Sequence, residues 1–288
     1  MSRKINIIVV VLNDKVGLLR TLNSIFDQQI DPELYSVVVV DGDSDDGSHE
    51  VASGFLRTSD RLIRREARGI YDAMNQGLIE IISHPKDEGV LFLNSGDFFA
   101  SQSSLTLLSS WLTENEIVVG LSAYLDPGYS FMVSIPEVRI NASDNSYNPV
   151  SLWIPHQSFC ATLNVYCQIG FMDAGLRIAG DTDWFVRCIK RFGNLVTHPK
   201  IISVQIVGGR SKKFAYTGYL ERRQIAYRYN FIPTSYPLNL LLRIYVAEKT
   251  GIRLPRFLKW RSIPALVPHA NIVKRYLLLS SNSYKPSN

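Results

Sequence analysis

The chain has 288 residues, of which 46% are hydrophobic and 20% charged, and its formal net charge is +5. This composition excludes a disordered polypeptide, a collagen-like fibre and a disulfide-stapled miniprotein. The three cysteines (Cys160, Cys167 and Cys188) are odd in number and lack CxxC spacing, which predicts free thiols and no zinc site. No uncharged apolar run reaches the roughly 18 residues of a membrane-spanning helix. We therefore expect a cytoplasmic protein.

Positive charge is concentrated in the last part of the chain. Residues 212–288 contain 14 of the 31 Lys and Arg but only 2 of the 26 Asp and Glu, a net charge of +12, which leaves −7 on residues 1–211. The same segment holds 12 aromatic residues. A basic, aromatic-rich segment favours a polyanionic partner. Because no helix-turn-helix, RNA-binding or zinc signature accompanies it, we expect no nucleic acid partner.

The first hundred residues alternate apolar strands with amphipathic helices. The pattern predicts strands at residues 5–12, 37–40, 61–65 and 90–93. It predicts helices at residues 16–28, 48–56 and 70–81. Strands and helices that alternate in this order form parallel β-α-β units, and ligands bind such sheets at the carboxyl ends of the strands.

The second half of the chain is less regular. It predicts strands at residues 118–123, 131–135, 159–163 and 201–207, and a polar loop at residues 140–149. Apolar residues from Trp184 to Phe192 share one helix face, and Gly193 is a suitable residue to end that helix. Residues 212–288 show helical patches interrupted by prolines. We therefore predict an α/β fold with a mostly parallel, Rossmann-like central sheet flanked by helices, and a helical C-terminal extension.

Carboxylates follow two of the buried strands. Asp41 ends a run of four valines, and Asp97 closes the sequence Phe-Leu-Asn-Ser-Gly-Asp at residues 92–97. Two acids that meet at a sheet edge can bind a divalent metal ion and the phosphates that it neutralises. Solvated acids in strand–helix turns are the alternative interpretation of either segment.

Four segments share their order and spacing with a known family. They are Val-Val-Val-Leu-Asn at 9–13, Val-Asp-Gly-Asp-Ser-Asp-Asp-Gly-Ser at 40–48, Arg-Gly-Ile-Tyr-Asp-Ala-Met-Asn-Gln-Gly at 68–77, and the segment at 92–97. Together they resemble family 2 glycosyltransferases, which have the GT-A fold. Further downstream, Pro-His-Gln-Ser-Phe at 155–159, Ile-Ala-Gly-Asp-Thr-Asp-Trp at 178–184 and Gly-Gly-Arg-Ser at 208–211 are similar to enzymes of bacterial exopolysaccharide synthesis, including colanic-acid-type enzymes.

The resemblance, which covers about residues 4–215, implies an activity and a division of the chain. It implies a metal-dependent, inverting glycosyltransferase that uses Mg²⁺ or Mn²⁺. The donor would be a nucleotide-diphosphate sugar, and the acceptor a lipid-linked or oligosaccharide molecule in exopolysaccharide or surface polysaccharide synthesis. Residues 1–211 would form the GT-A catalytic domain and residues 212–288 a basic, aromatic-rich helical extension.

The resemblance also implies roles for individual residues. Asp181 would be the catalytic base that deprotonates the acceptor hydroxyl, and Asp97 would bind the metal with help from His156. The donor and its nucleotide would be bound by Asn13, Asp41, Asp43, Arg68, Asp72, Asn75 and Asn94. The acceptor side would hold Trp153, Gln157 and Asp183.

Three of these roles have structural alternatives. Trp153 would either stack on a sugar or belong to the core, and Asp183 would either serve the acceptor or cap a helix. His156, which follows Pro155, would either assist the metal or cap a turn.

Two departures from the family pattern leave a second function open. Many relatives have two adjacent acids where this chain has Gly96 and Asp97, and a plain glycine at the position of Asp43. The alternative is therefore a non-catalytic, nucleotide-sugar-binding relative that acts as a membrane-associated scaffold of a polysaccharide assembly complex. Convergence of Asp97, His156 and Asp181 on one cleft would favour the enzyme.

Two hypotheses concern the role of the basic extension. Lys and Arg interleaved with Trp and Tyr are typical of a segment that docks on an anionic bilayer, here the inner face of the plasma membrane. The alternative is a helical subdomain that packs on the catalytic domain and balances its negative charge.

Overall fold

The computed structural model describes residues 2–125, 131–134, 140–141, 146–147, 154–193, 195–206, 213–230 and 238–250. Three of the sequence-based assignments lie outside the described residues. These are the acceptor-side Trp153, the Gly-Gly-Arg-Ser segment at 208–211, and the part of the extension after Thr250.

The described residues form eleven strands and eight α-helices. The strands are β1 Ile5–Val11, β2 Tyr35–Asp41, β3 Arg61–Arg64, β4 Gly89–Phe92, β5 Phe98–Phe99, β6 Ile117–Leu125, β7 Phe131–Ser134, β8 Ile140–Asn141, β9 Ser146–Tyr147, β10 Phe159–Thr162 and β11 Val196–Ile206. The helices are α1 Lys15–Phe26, α2 Ser48–Phe55, α3 Ile70–Glu80, α4 Ser104–Trp111, α5 Leu163–Ile169, α6 Gly180–Phe192, α7 Ala215–Arg228 and α8 Leu238–Thr250.

Nine of the strands form one mixed sheet in the order β3-β2-β1-β4-β10-β6-β11-β5, with β7 paired to β6. The pairs among β3, β2, β1 and β4 are all parallel, as the alternation of strands and helices predicts. β10 is antiparallel to both of its neighbours, β4 and β6. The first half of the sheet is therefore a parallel β-α-β unit, and the second half departs from it.

The side chains of β1 explain why helices cover both faces of the sheet. Ile8 and Val10 point into one core, which they share with α3, α5, α6 and α7. Ile5, Ile7 and Val9 point into the other core, against α1, α2 and α4. Because strand side chains alternate between faces, a strand with apolar residues on both faces requires a cover on each side.

The loops that follow β1 and β2 are hydrogen-bonded to each other. The side-chain oxygen of Asn13 accepts from the backbone N–H of Asp45 at 3.0 Å, and the N–H of Asn13 donates to the Ser44 hydroxyl at 2.9 Å. Asn13 and Asp43 both have positive φ, 50° and 70°, so these loops turn sharply at the carboxyl edge of the sheet. The polar residues after the two strands are thereby held together.

Within the extension, the described residues confirm helices at Ala215–Arg228 and Leu238–Thr250. Ile225 and Ala226 of α7 are fully buried in the core that contains α6. The boundary after Ser211 stays a prediction, and α7 packs into the same core as α3, α5 and α6. Within the described residues, no helix has the length and apolarity needed to cross a membrane.

Several elements differ from the sequence-based expectation. The pattern missed β5, α4 and α5, which are all eight residues or shorter. The predicted strand at 159–163 ends at Thr162, and Leu163 begins α5. Within the predicted polar loop at 140–149, β8 and β9 form a two-stranded ladder. Gly193 follows α6 with φ of 81° and donates to Ile189 O, so it ends the helix as predicted.

The packing of α3 on the sheet predicts a stability difference between two glycines. A Cβ at Gly77 would lie 2.4 Å from Ile8 Cγ2, whereas a Cβ at Gly54 in α2 would meet nothing within 4 Å. We expect Gly77→Ala to lower the free energy of unfolding by about 1–3 kcal/mol through overpacking. Gly54→Ala should instead raise it by up to about 1 kcal/mol, because alanine favours the helix. Urea unfolding of both variants measures the difference, and equal effects would contradict the packing.

Candidate active site

Asp97 lies in the loop after β4 and is bound by an amide from a distant segment. Gln157 Nε2 donates to Asp97 Oδ2 at 2.7 Å, and Gln205 Nε2 on β11 donates to Gln157 Oε1 at 2.8 Å. The loop itself is fixed by the buried Thr21 of α1, whose hydroxyl donates to Asp97 O and accepts from Gly96 N. Asp97 is therefore held from three elements.

The electrostatic environment of Asp97 disfavours its negative charge. Burial raises the pKa of Asp97 to about 6, and the carboxylate of Asp14 acts in the same direction. The hydrogen bond from Gln157 and the charges of His156 and Arg20 act in the opposite direction but do not restore the ordinary value. A carboxylate in this position gains from any cation that approaches it.

His156 connects the loop of Asp97 to Asp181. Its Nε2 is 2.9 Å from Asn94 Nδ2, and its Nδ1 is 3.4 Å from Asp181 Oδ2. His156 also precedes Gln157 in the short 3-10 helix His156–Ser158, so adjacent residues contact Asp181 and Asp97. Asp97 and Asp181 are thus linked through two adjacent residues, Gln157 and His156.

Asp181 is held at the start of α6 by several donors. Its Oδ1 accepts from the backbone N–H of Thr182 at 2.7 Å and lies 3.2 Å from the Tyr71 hydroxyl of α3. Burial alone would raise the pKa of Asp181, but the contact with His156 and these hydrogen bonds hold it below its ordinary value. The Asp181 side chain is 22% exposed, so an ionised carboxylate faces solvent beside His156.

Asp41 has a buried carboxylate at the end of β2. Its Oδ1 accepts from Ser44 N at 2.9 Å. Its Oδ2 has no hydrogen-bond partner among the described residues, and the nearest ionisable atom is His49 Nδ1 at 3.7 Å. A buried acceptor without a donor is costly in a folded protein unless a ligand supplies the donor.

The other donor-side residues have different surroundings. Asp43 forms an exposed ion pair with Arg64 Nε at 2.8 Å, and Asp72 accepts from the backbone N–H of Arg68 at 3.0 Å. The Arg68 side chain is 84% exposed. Asn75 makes two hydrogen bonds to the backbone of Met172, so its amide is engaged in holding the segment before α6.

The two described acceptor-side residues lie in different places. Gln157 contacts Asp97, as described above. The Asp183 carboxylate instead contacts Arg187 Nε at 3.0 Å, Arg228 Nη1 at 2.9 Å and the Tyr229 hydroxyl at 3.1 Å. The structure thus brings Gln157 to the site and directs Asp183 towards α7.

Four further residues shape the site, and two of them, Arg20 and Gln205, were not predicted from the sequence. Asp14 and Arg20 act on the charge of Asp97, Tyr71 contacts Asp181, and Gln205 orients Gln157. Asp14 directly follows Asn13, and Tyr71 lies within a quoted motif, so the sequence held a signal for both. Arg20 and Gln205 stand in a helix and a strand without a motif and gave no such signal.

A sequence model of glycosyl transferase family 2 matches residues 6–162, just over half of the chain. The chain belongs to glycosyl transferase family 2. Two proteins of Mycobacterium tuberculosis are 27% identical to it over 185 residues, which is 64% of this chain and 68% of theirs. They are the uncharacterized glycosyltransferases MT1564 of strain CDC 1551 / Oshkosh and Rv1514c of strain ATCC 25618 / H37Rv.

Solved glycosyltransferase structures confirm the GT-A fold. The mannosyltransferase PcManGT from Pyrobaculum calidifontis, in complex with GDP-Man and Mn²⁺, superposes with a TM-score of 0.61 at 16% identity, over 98% of this chain and 81% of that one. Residues 1–349 of S. aureus TarS, in complex with UDP-GlcNAc, give 0.59 at 14% identity, over 85% and 71%. The predicted family and fold are confirmed, and the closer resemblance to exopolysaccharide enzymes stays a prediction.

Glycosyltransferases of the GT-A fold commonly use divalent metal ions. Among the described residues, no three or more His, Cys, Asp or Glu side chains form a ready-made metal site. Mg²⁺ is often held by only one or two carboxylates together with substrate phosphates. Asp97 fits that arrangement. Both ring nitrogens of His156 already have partners, so it could bind a metal only by losing one of them.

The raised pKa of Asp97 predicts a pH-dependent stability for this glycosyltransferase. Since the folded-state pKa of about 6 exceeds the ordinary 3.8, ionisation costs the folded state more than the unfolded state. The cost is absent well below pH 4, develops as the pH rises and is complete above about pH 6. Asp97→Asn should therefore raise the free energy of unfolding at pH 7.5 by at most about 3 kcal/mol, and by less than half of that at pH 4.

Urea unfolding at the two pH values measures this difference. Asp87→Asn, at an exposed loop position, serves as the matched control and should change stability little at either pH. If Asp97→Asn raised the free energy of unfolding equally at both pH values, Asp97 would not titrate as described.

Proposed function

We propose that this family 2 glycosyltransferase transfers a sugar, with inversion, from a nucleotide-diphosphate sugar to an acceptor hydroxyl. The proposed acceptor is a lipid-linked or oligosaccharide molecule in bacterial exopolysaccharide or surface polysaccharide synthesis. The observation that carries the proposal is the contact between His156 and Asp181, which joins a base to the loop of Asp97. That convergence supports the enzyme over a non-catalytic scaffold.

Asp181 is the proposed base. A single displacement with inversion needs one carboxylate on the acceptor side and no covalent intermediate on the enzyme. As the acceptor oxygen bonds to the anomeric carbon, the bond from that carbon to the diphosphate oxygen breaks, and the hydroxyl proton passes to the Asp181 carboxylate. The lowered pKa of Asp181 keeps that carboxylate ionised at neutral pH. His156 orients it.

The donor is proposed to bind along the loops after β1, β2 and β4. The partnerless Oδ2 of Asp41 is suited to accept an N–H of the nucleobase, which would supply its missing donor. Asn13 fixes the neighbouring loop, and the exposed Arg68 can reach a diphosphate, for which a guanidinium is a strong partner. These contacts suit any nucleotide-diphosphate sugar.

Asp97 is the proposed ligand of Mg²⁺ or Mn²⁺. A divalent ion there would neutralise charge on the leaving diphosphate, while Gln157 holds the Asp97 carboxylate and Thr21 holds its backbone carbonyl. The solved relatives support a nucleotide-sugar donor, since one holds UDP-GlcNAc and the other holds GDP-Man with Mn²⁺. Thermal-shift measurements with UDP-, GDP- and dTDP-sugars, each with and without Mn²⁺, would identify the donor of this chain.

Substitutions at Asp97 and Asp181 should affect two different steps, donor binding and sugar transfer. We expect Asp97→Asn to remove the Mn²⁺-dependent part of UDP or GDP binding, because the isosteric amide lacks the charge that holds the cation. We expect Asp181→Asn to bind the same nucleotide normally and to lose about 10²- to 10⁴-fold in the rate of nucleoside diphosphate release from the sugar donor. Titration calorimetry and a release assay measure the two effects.

Each of these variants is the control for the other. Unchanged Mn²⁺-dependent affinity in Asp97→Asn would remove the metal assignment, and normal turnover in Asp181→Asn would place the base elsewhere. Transfer from none of the donors by the wild-type protein would favour the scaffold.

We further propose that the end of the extension docks on the anionic inner face of the plasma membrane. α8 exposes Leu238, Leu242, Tyr245 and Val246, which lie on one helical face, and residues 251–288 add basic and aromatic residues. α7 packs on the core and so corresponds to the alternative hypothesis, a packed helical subdomain. The two hypotheses therefore apply to different parts of the extension.

Vesicle sedimentation tests the docking. The full-length protein should sediment with vesicles that contain anionic lipid, less with neutral vesicles, and less as salt rises, since each basic residue near the surface contributes about 1 kcal/mol. Arg256→Glu with Lys259→Glu should weaken sedimentation strongly. The same charge change at the exposed Lys86 and Lys200 is the matched control and should have little effect. A wild-type protein that stays in the supernatant at low salt would contradict docking.

A further inference from the structure

A carboxylate of α7 binds the backbone segment that leads to Asp181. Glu221 Oε1 accepts from the N–H of Arg177 at 2.7 Å, and Oε2 accepts from the N–H groups of Ile178 and Ala179 at 2.8 and 2.9 Å. One side chain thus satisfies three consecutive backbone donors. Ala179 is the N-cap of α6 and has no capping side chain of its own, so Glu221 supplies acceptors that the segment lacks.

The same segment is also held by α3. The Tyr71 hydroxyl is 2.7 Å from Ile178 O and 3.2 Å from Asp181 Oδ1. Gly180 lies against the Tyr71 ring, where a Cβ would be 2.6 Å from Cδ2. The N–H groups of residues 177–179 therefore bind the Glu221 carboxylate, and the carbonyl of Ile178 binds the Tyr71 hydroxyl.

α7 is itself fixed at both ends. Near its beginning, Glu248 of α8 accepts from the N–H of Thr217 at 2.9 Å and from its hydroxyl. At its end, Arg228 Nη1 contacts Asp173 Oδ2 at 3.1 Å and Asp183 Oδ1 at 2.9 Å. Glu221 stands between these anchors, so its carboxylate has little freedom to leave the segment. This arrangement also explains why Asp183 faces α7 and not the site.

We propose that Glu221 is a positioning residue that sets the location of the Asp181 carboxylate relative to the donor half of the site. The proposal rests on the proposed role of Asp181 as the base. Without the Glu221 carboxylate, three N–H groups lose their acceptor and the segment relaxes towards water. Because a displacement of about 1 Å can cost on the order of 10²-fold in rate, a small shift of Asp181 has a large effect.

Glu221→Gln tests the proposal in the full-length protein. The amide keeps the size of the side chain but turns one acceptor into an NH₂ group that faces backbone N–H groups. We expect the kcat for nucleoside diphosphate release to fall by about 10- to 100-fold. The donor KM should stay within about twofold, since within the described residues no hydrogen bond or ion pair joins Glu221 to a predicted donor-side residue. A general loss of structure would instead change both kcat and KM. Amide hydrogen exchange at residues 177–183 should become faster.

Two further variants define the comparison. Glu221→Asp keeps the charge on a shorter side chain and should lie between wild type and Glu221→Gln in both measurements. Arg223→Gln is the matched control on α7, because the hydrogen bonds of Arg223 reach Tyr219 and Tyr227 of the same helix and it should behave as wild type.

The outcomes separate this inference from the proposed function. Unchanged amide exchange in Glu221→Gln, or faster exchange with an unchanged kcat, would overturn the positioning role. A parallel change in kcat and KM would also overturn it. Failure of the proposed function would look different, because the wild-type protein itself would release no nucleoside diphosphate from any sugar donor. The exchange measurement would then still decide whether Glu221 holds the segment.

Discussion

The contact between His156 and Asp181 joins the two halves of the site, and the strand that follows His156 explains how it forms. β10 lies between β4 and β6 and is antiparallel to both. An antiparallel strand begins where its neighbours end. The residues just before β10, His156 and Gln157, are therefore placed beside Asn94 and Asp97, which follow β4. Because β10 runs in the opposite direction, the segment before it reaches the sheet edge at which the parallel strands end. Without β10, only the loops after the parallel strands would lie at that edge.

The carboxylates of Asp97 and Asp181 have pKa values that are shifted in opposite directions. Burial raises the pKa of Asp97, whereas the contacts with His156, Thr182 and Tyr71 outweigh burial at Asp181 and lower its pKa. Environments that push the pKa values of two carboxylates apart assign them different tasks. The charge of Asp97 is disfavoured by burial, which agrees with its proposed role beside a cation. Asp181 is a stable anion at neutral pH, which agrees with its proposed role as the proton acceptor.

The sequence predicted the parts of the molecule that depend on local pattern. The apolar runs of β1, β2 and β4, and the polar residues that follow them, determined the first half of the sheet and the donor edge. The direction of β10 was not predictable, since a four-residue apolar strand carries no signal for the orientation of its neighbours. Arg20, Gln205 and Glu221 act through residues far away in the chain, so no periodicity or spacing marks them.

The proposed base, Asp181, is held by residues that lie far from it in the sequence. Tyr71 is 110 residues before Asp181, and Glu221 is 43 residues after Ile178. The family match ends at Thr162, before Asp181 and before α7. The loops that are proposed to bind the donor follow adjacent strands in the first half of the chain. The segment that carries the proposed base instead depends on α7, because Glu221 accepts hydrogen bonds from three of its N–H groups. In the proposed function, α7 is therefore part of the structure that positions the base, whatever the far end of the extension binds.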